Sequence, residues 1–284
     1  MNKKYESLYR RYRDQPPNEI FAFFAVDKDK GHSWEAPFEF LANLAKPEDW
    51  NFIRAEYQRP GINFPILGNF LNNTFLRLQQ LNRLRFTQDG RCACFNTGLQ
   101  TPDEKDIFAT FTRNWKSDQN SNVCDWFFAG FFDSYAKEIT RFRPLPDLAN
   151  YIDDATDLVL DIHYDIDVNI GHILDDPANQ ERLPEVLRGK RNLAMAAIEG
   201  ATKFIKQKVL RNYKTAIPFW YVPESKIQLL LPLCLIQPDK ADMALVADKH
   251  RAGKLYRIRT ALRMDMAYNN ARLITRPDRE WLNP

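Results

Sequence analysis

Four cysteines in 284 residues, Cys92, Cys94, Cys124 and Cys234, are too few to frame a disulfide scaffold. Cys92 and Cys94 stand one residue apart in a strand-like stretch, which points both to one face, and neither their number nor their spacing meets a zinc site built from CxxC pairs. No run of 18 apolar residues occurs, so a membrane-spanning helix is excluded. The charged start MNKKYESLYRRYRDQPPNEI holds no apolar run, so no signal peptide is expected. The expected location is the cytoplasm, with no membrane partner. GxGxxG, Walker, GxSxG and HExxH patterns are absent, and with them the signatures of dinucleotide and NTP binding, serine hydrolysis and zinc proteolysis.

What is present is a globular composition, 44% hydrophobic and 13% aromatic. The net charge of +3 leaves no polycation, so any electrostatic footprint must be local. Residues 1–31 read as a polar arm that ends in the apolar stretch IFAFFAV, and residues 32–284 as one domain. Ser33 can cap a helix that Pro47 ends, and Leu67, Phe70, Leu71, Thr74, Phe75 and Leu78 form the apolar stripe of a longer one over 63–84. The period then changes to strands at 85–87, 91–96, 107–112 and 126–132, the first two joined by a turn at Gly90. A long helix is expected from Arg188 to Tyr213, then strands at 216–221, 226–236, 244–249 and 254–262, then a short helix over 265–275. The fold class is α+β: a largely antiparallel mixed sheet with N-terminal helices, one long central helix and a short C-terminal helix.

Charge is distributed in blocks. Residues 145–187 hold eleven acids and one base, and residues 188–214 hold eight bases and one acid. On the expected helix, Asn192, Ala196, Glu199, Lys203 and Lys206 fall along one stripe, with Leu193, Ala197, Ala201, Phe204 and Ile205 turned to the sheet. Arg211, Tyr213 and Lys214 place an aromatic ring between two cations, a mix suited to a nucleic-acid backbone with a stacked base. Asn269, Arg272 and Arg276 share a face of the last helix beside Asn270, where guanidiniums can grip phosphate while amides read a base or ribose. Gln228, a lone polar residue opening the apolar strand IQLLLPLCLI, needs a partner.

Asp161, His163, Asp165, Asp167 and Asn169 alternate with apolar residues, so a strand would turn all five to one side. Such a row is either the wet face of an amphipathic strand or a Mg²⁺ or Mn²⁺ site of a phosphodiesterase, with His172 as general acid or base. The turn Asn96-Thr97-Gly98-Leu99 follows a strand and could offer its backbone N–H groups to a phosphate.

The runs LPLCLIQPDKADMALV, DMAYNNARLITRPDREWL, FNTGLQTP and VNIGHIL resemble a domain-of-unknown-function family, number 3825, over about residues 34–282. Members of that family are often joined to cold-shock or OST-HTH (LOTUS) modules, both associated with RNA, and neither module is visible here. The resemblance implies an RNA-linked role, exerted by the domain itself or through a partner protein that binds RNA. The positions it carries over are Asn96, Thr97, Asn169, His172, Asn269, Asn270, Arg272 and Arg276.

The leading expectation is a domain that binds RNA or a nucleotide in one basic phosphate pocket, without a cofactor. Arg188, Arg191, Asn192, Lys203, Lys206, Gln228, Asn270, Arg272 and Arg276 would line it. The alternatives are a hydrolase of phosphodiester or pyrophosphate bonds, the one reading that calls for Mg²⁺ or Mn²⁺, and a scaffold for protein partners.

Overall fold

The computed structural model describes residues 3–24, 35–58, 61–277 and 281–282. The expected cap Ser33 lies outside the described residues. Where sequence reading expects an arm and one domain, the chain forms two compact units, Met1–Phe52 with Gln58–Asn150, and Ile53–Tyr57 with Tyr151–Pro284. Each unit carries one five-stranded sheet, so the α+β class holds while the single sheet does not. No helix of the described residues is long and apolar enough to cross a membrane.

In the first unit, β1 (Ala22–Phe23), β2 (Arg85–Phe86), β3 (Cys92–Gln100), β4 (Asp106–Arg113) and β5 (Trp126–Asp133) are ordered β1-β5-β4-β3-β2. Helices α1 (Ala36–Leu44) and α2 (Pro65–Gln80) precede β2, and α2 buries Leu67, Leu71, Phe75 and Leu78 at helical spacing. The core beneath it is aromatic: Phe95 stacks on Phe111 at 5.7 Å, Phe75 tilts onto Phe95 at 5.8 Å, and Phe21 meets Phe111 edge-on at 5.0 Å. Strand alternation turns Cys94 and Phe108 to the other face, where Ile139 and Phe142 cover them.

The expected arm is part of this unit. Tyr5, Leu8, Ile20, Phe21 and Phe24 are buried, and β1 adds to β5 in parallel. Polar side chains fix the segment where its composition reads as solvated. Asn72 Oδ1 accepts the Leu8 amide at 2.9 Å, and Gln79 accepts from the Tyr5 amide and donates to its carbonyl. The Tyr5 hydroxyl and Lys3 Nζ both donate to Asp125, at 2.6 and 2.7 Å. Burial works to raise the Asp125 carboxyl, but the bonds from Lys3 and Tyr5 outweigh it and hold the group below the usual carboxylate range.

In the second unit, β6 (Asp165–Val168), β7 (Ile217–Tyr221), β8 (Lys226–Leu233), β9 (Met243–His250) and β10 (Leu255–Leu262) are ordered β6-β10-β9-β8-β7. All pairs are antiparallel except β6, which lies parallel to β10. One face is covered by α3 (Ile170–Asp175), α4 (Pro177–Arg182), α5 (Arg191–Thr202) and α6 (Ile205–Arg211). Their core joins Ile173, Leu183, Ala194, Ile198, Ile205 and Val209 to Leu229, Leu231 and Leu233 of β8. Helix α7 (Met264–Ala271) packs on β7 and β9, and none of its buried residues belongs to that core. Since alternate residues of a strand point to opposite sides, α7 lies on the other face of the sheet.

The expected long helix is two. Gly200 and Thr202 are weak helix formers, and the Thr202 hydroxyl donates back to the Glu199 carbonyl at 3.1 Å, competing with the helix ladder. At Phe204 the backbone leaves the helical region (φ −100°, ψ 0°), and α6 restarts from its carbonyl with the Lys208 amide bonded at 2.9 Å.

Asp125→Ala leaves the buried Tyr5 hydroxyl without its acceptor and is expected to cost about 1–3 kcal/mol in urea unfolding at neutral pH. The depressed carboxyl means that this contribution is complete above the ordinary value of about 3.9 and is lost as pH falls through the folded value, so wild type and variant converge in acid. Equal stability at neutral pH contradicts the anchoring role.

Candidate nucleic-acid interface

Several residues expected at a ligand site are consumed by local structure. Asn96 and Thr97 are buried in β3, where the register slips between Asn96 and Gln100 and Gly98 takes φ +78°. Asn96 Oδ1 accepts the Gly98 amide at 2.9 Å, and Thr97 Oγ1 accepts the Leu99 amide at 3.2 Å while donating to the Ile107 carbonyl at 2.7 Å. The N–H groups expected to face a phosphate therefore have partners within the bulge. Asn96 also lines an open depression of about 630 Å³ with Arg83 and Asp106, but its amide donates to Asp106 and Arg83 donates to the Leu148 carbonyl. Asn169 caps α3 by accepting the His172 amide at 3.0 Å. The His172 side chain is exposed.

The acidic alternation is only half a strand. Asp161 forms a turn, accepting the His163 amide at 2.9 Å, and β6 starts at Asp165. Asp165 pairs with Lys206 at 3.3 Å, and Asp167 stands opposite Arg257 in the sheet register. No group of three or more His, Cys, Asp or Glu gathers as a metal cage among the described residues. Other members of the acidic block meet β9 and the turn after it: Asp157 pairs with Lys249 at 3.0 Å, and Arg251 bridges Asp154 and Asp157. Bonds from the Thr156 hydroxyl and amide, then from Arg251, hold the Asp154 carboxyl down at about 2.

The α5–α6 layer presents a mixed surface. Its core stripe is Ala194, Ile198, Ile205 and Val209, so the larger aliphatics take the sheet. Leu193 and Phe204, expected against that sheet, are instead exposed at 52% and 56%. Asn192, Glu199, Lys203, Gln207, Leu210 and Arg211 share the solvent side, and the following turn adds Tyr213, 63% exposed, and Lys214. Four cations of the block are engaged locally. Arg191 pairs with Asp175 at 2.6 Å, Lys206 with Asp165, Arg188 donates to the Leu183 carbonyl, and Lys208 to the Pro238 carbonyl. Lys208 Nζ also lies 3.6 Å from Cys234 Sγ, and burial raises that thiol against the pull of the lysine. Arg211 bonds only its own helix, at the Gln207 carbonyl, among its described hydrogen bonds. Lys190 and Lys203 have no carboxylate partner among the described residues.

The remaining expected site residues are elsewhere. Asn269, Asn270 and Arg272 belong to α7 and its C-terminus, with Arg276 just beyond. Gln228, buried opposite Phe219, alternates with Leu229 and so faces away from the α3–α6 core. Lys203 and Lys206 thus lie on one face of the sheet, and α7 with Gln228 on the other. The single pocket expected from sequence is not formed.

Sequence reading passed over the run Tyr9-Arg10-Arg11-Tyr12-Arg13, which in the first unit borders a cavity of about 290 Å³. Three arginines interleaved with two tyrosines mark it in the sequence, within a segment whose polar composition reads as an arm.

A two-sheet α+β chain with a basic, aromatic-bearing helical surface defines the class of protein. Residues 41–281 match the family described as domain of unknown function (DUF3825), and the chain belongs to it. No curated protein and no solved structure matches the chain.

Asn169→Ala is expected to cost about 1 kcal/mol of stability in the second unit through loss of the α3 cap. Urea unfolding measures it. A variant as stable as wild type would return Asn169 to the ligand-facing role.

Proposed function

We propose that this chain binds single-stranded RNA along the solvent side of α5 and α6. The observation that carries the reading is the exposure of Phe204 and Tyr213 beside Lys203, Arg211 and Lys214 on one continuous stretch of chain. A phenylalanine is more often buried than exposed, and here Phe204 stands with Tyr213 among cations. Phosphates attract the cations, and an unstacked base can lie on a ring face, which a duplex does not offer. Lys190 and Lys203 keep their charge available, whereas Arg191 and Lys206 must first give up Asp175 and Asp165. RNA is the nucleic acid that the family resemblance implies.

Two to four phosphate contacts give a logarithmic salt slope of roughly −1.4 to −2.8 for a single strand. Lys203→Ala should flatten it by about 0.7, and Phe204→Ala should weaken binding by about 1–3 kcal/mol with little change in slope. Arg276→Ala, a cation outside this face, should bind as wild type. Fluorescence anisotropy with a short unstructured RNA at several salt concentrations reads all three. Absence of RNA binding by the wild type, with capture of a protein through exposed Leu193 and Leu210, would favour the scaffold reading instead.

A further inference from the structure

The first unit has a cavity of its own, bordered by Tyr9–Arg13, Phe24 and Phe38. We propose that the pocket beside Tyr9–Arg13 binds a nucleoside 5′-phosphate, free or as the terminal nucleotide of an RNA strand. This inference stands independently of the reading of α5 and α6.

The pocket is built rather than incidental. Its floor is a set of rings continuous with the core. Phe24 stacks on Phe38 at 5.8 Å and 14°, and on Phe128 at 4.4 Å and 17°. Tyr9 sits edge-on to Phe38 at 5.1 Å. α2 makes room for Tyr9 with Gly68, where a Cβ would come within 2.6 Å of the tyrosine hydroxyl. The arginine-bearing loop is tied at both ends. The Leu8 amide is bound by Asn72, and buried Gln15 accepts the Arg11 amide at 2.9 Å while donating to Ser7 Oγ at 2.8 Å. Such ties remove the ordering cost that a ligand would otherwise meet.

The rim is cationic, and no carboxylate among the described residues pairs with its arginines. Arg11 lies over the Tyr9 ring at 5.7 Å and donates to the Tyr9 hydroxyl and to Asn69 Oδ1. Those partners are uncharged, so they orient the guanidinium without cancelling its charge. Among the described residues, neither Arg10 nor Arg13 pairs with a carboxylate. Three guanidiniums in four residues repel one another unless an anion sits among them. Tyr12, 55% exposed, adds an exposed ring at the same rim.

The chemistry narrows the ligand. An apolar molecule would have no use for the guanidiniums, and a bare phosphate none for the rings. A flat heterocycle stacked on the exposed Tyr12 ring and edged against the buried floor, with a phosphate in the guanidinium fork, uses both. A cavity of about 290 Å³ is at the small end of ligand sites, suited to one nucleotide rather than a dinucleotide.

The test is calorimetry on the full chain with AMP, GMP, CMP and UMP, with inorganic phosphate and adenosine as the two halves. At least one monophosphate should bind tenfold or more tightly than either half. Arg13→Ala and Tyr12→Ala change exposed side chains, so they should fold as wild type and each bind about tenfold more weakly. Lys46→Ala, a cation of the same unit outside the pocket, should bind normally. Comparing 5′-phosphorylated with 5′-hydroxyl oligonucleotides separates the sources: a preference for the phosphorylated end assigns the terminal nucleotide, and equal affinity assigns the free one. The proposal is overturned if no monophosphate binds, if inorganic phosphate binds as tightly as the nucleotide, or if both pocket variants bind as wild type.

Discussion

Strand β8 is buried on both of its faces, and the second unit is arranged around that fact. From Gln228 to Leu233 every residue is buried, so each side of the sheet must be covered. Leu229, Leu231 and Leu233 point to α3–α6, while Gln228, Leu230 and Pro232 point to the side that α7 closes. A shift of one residue would exchange the two sets, so the register is strongly held. From this constraint follows the division of charge. Cations of α5 and α6 share a surface with exposed rings, and the arginines that follow α7 belong to another.

The first unit rests on a different device. Its N-terminal segment is held by buried and half-buried polar groups, with Asn72, Gln79 and Asp125 taking the amides, hydroxyl and ammonium of Lys3, Tyr5 and Leu8. A hydrogen bond to a charged group in a partly dry site is stronger than one in water. This explains how a stretch rich in Lys, Arg and Pro becomes structure, with the Tyr9–Arg13 loop tied at both ends.

Local pattern was legible wherever one period governed a segment. The stripe of α2, the hairpin at Gly90 and the strands β7 to β10 lie within a few residues of their expected positions. Pairing between distant segments was not legible. Parallel contacts of β1 with β5 and β6 with β10 depend on tertiary packing, and nothing local announces a second sheet. The break at Phe204 was hidden because Gly200 and Thr202 are each tolerated inside helices, and only the Thr202 hydroxyl bonded to Glu199 turns them into a stop. A continuous helix would turn Phe204 to the sheet, and the break leaves it exposed. At Asn96–Leu99 the residue types expected for a phosphate turn are also those that close a bulge, and the Gly98 and Leu99 amides take the nearer partners. The acidic and basic blocks were readable as composition, but their partners were not. Arg251 and Lys249 take Asp154 and Asp157, leaving part of the basic block for solvent.

The central claim is that RNA lies on the exposed rings that flank α6, Phe204 before it and Tyr213 after it. Photo-crosslinking of the full chain to a single-stranded RNA carrying 4-thiouridine, followed by mass spectrometry of the peptides, tests it most directly. The account predicts that adducts concentrate on the peptides bearing Phe204 and Tyr213 and fall away as salt rises. Adducts concentrated on the α7 peptides around Arg272, or a pattern indifferent to salt, would contradict it.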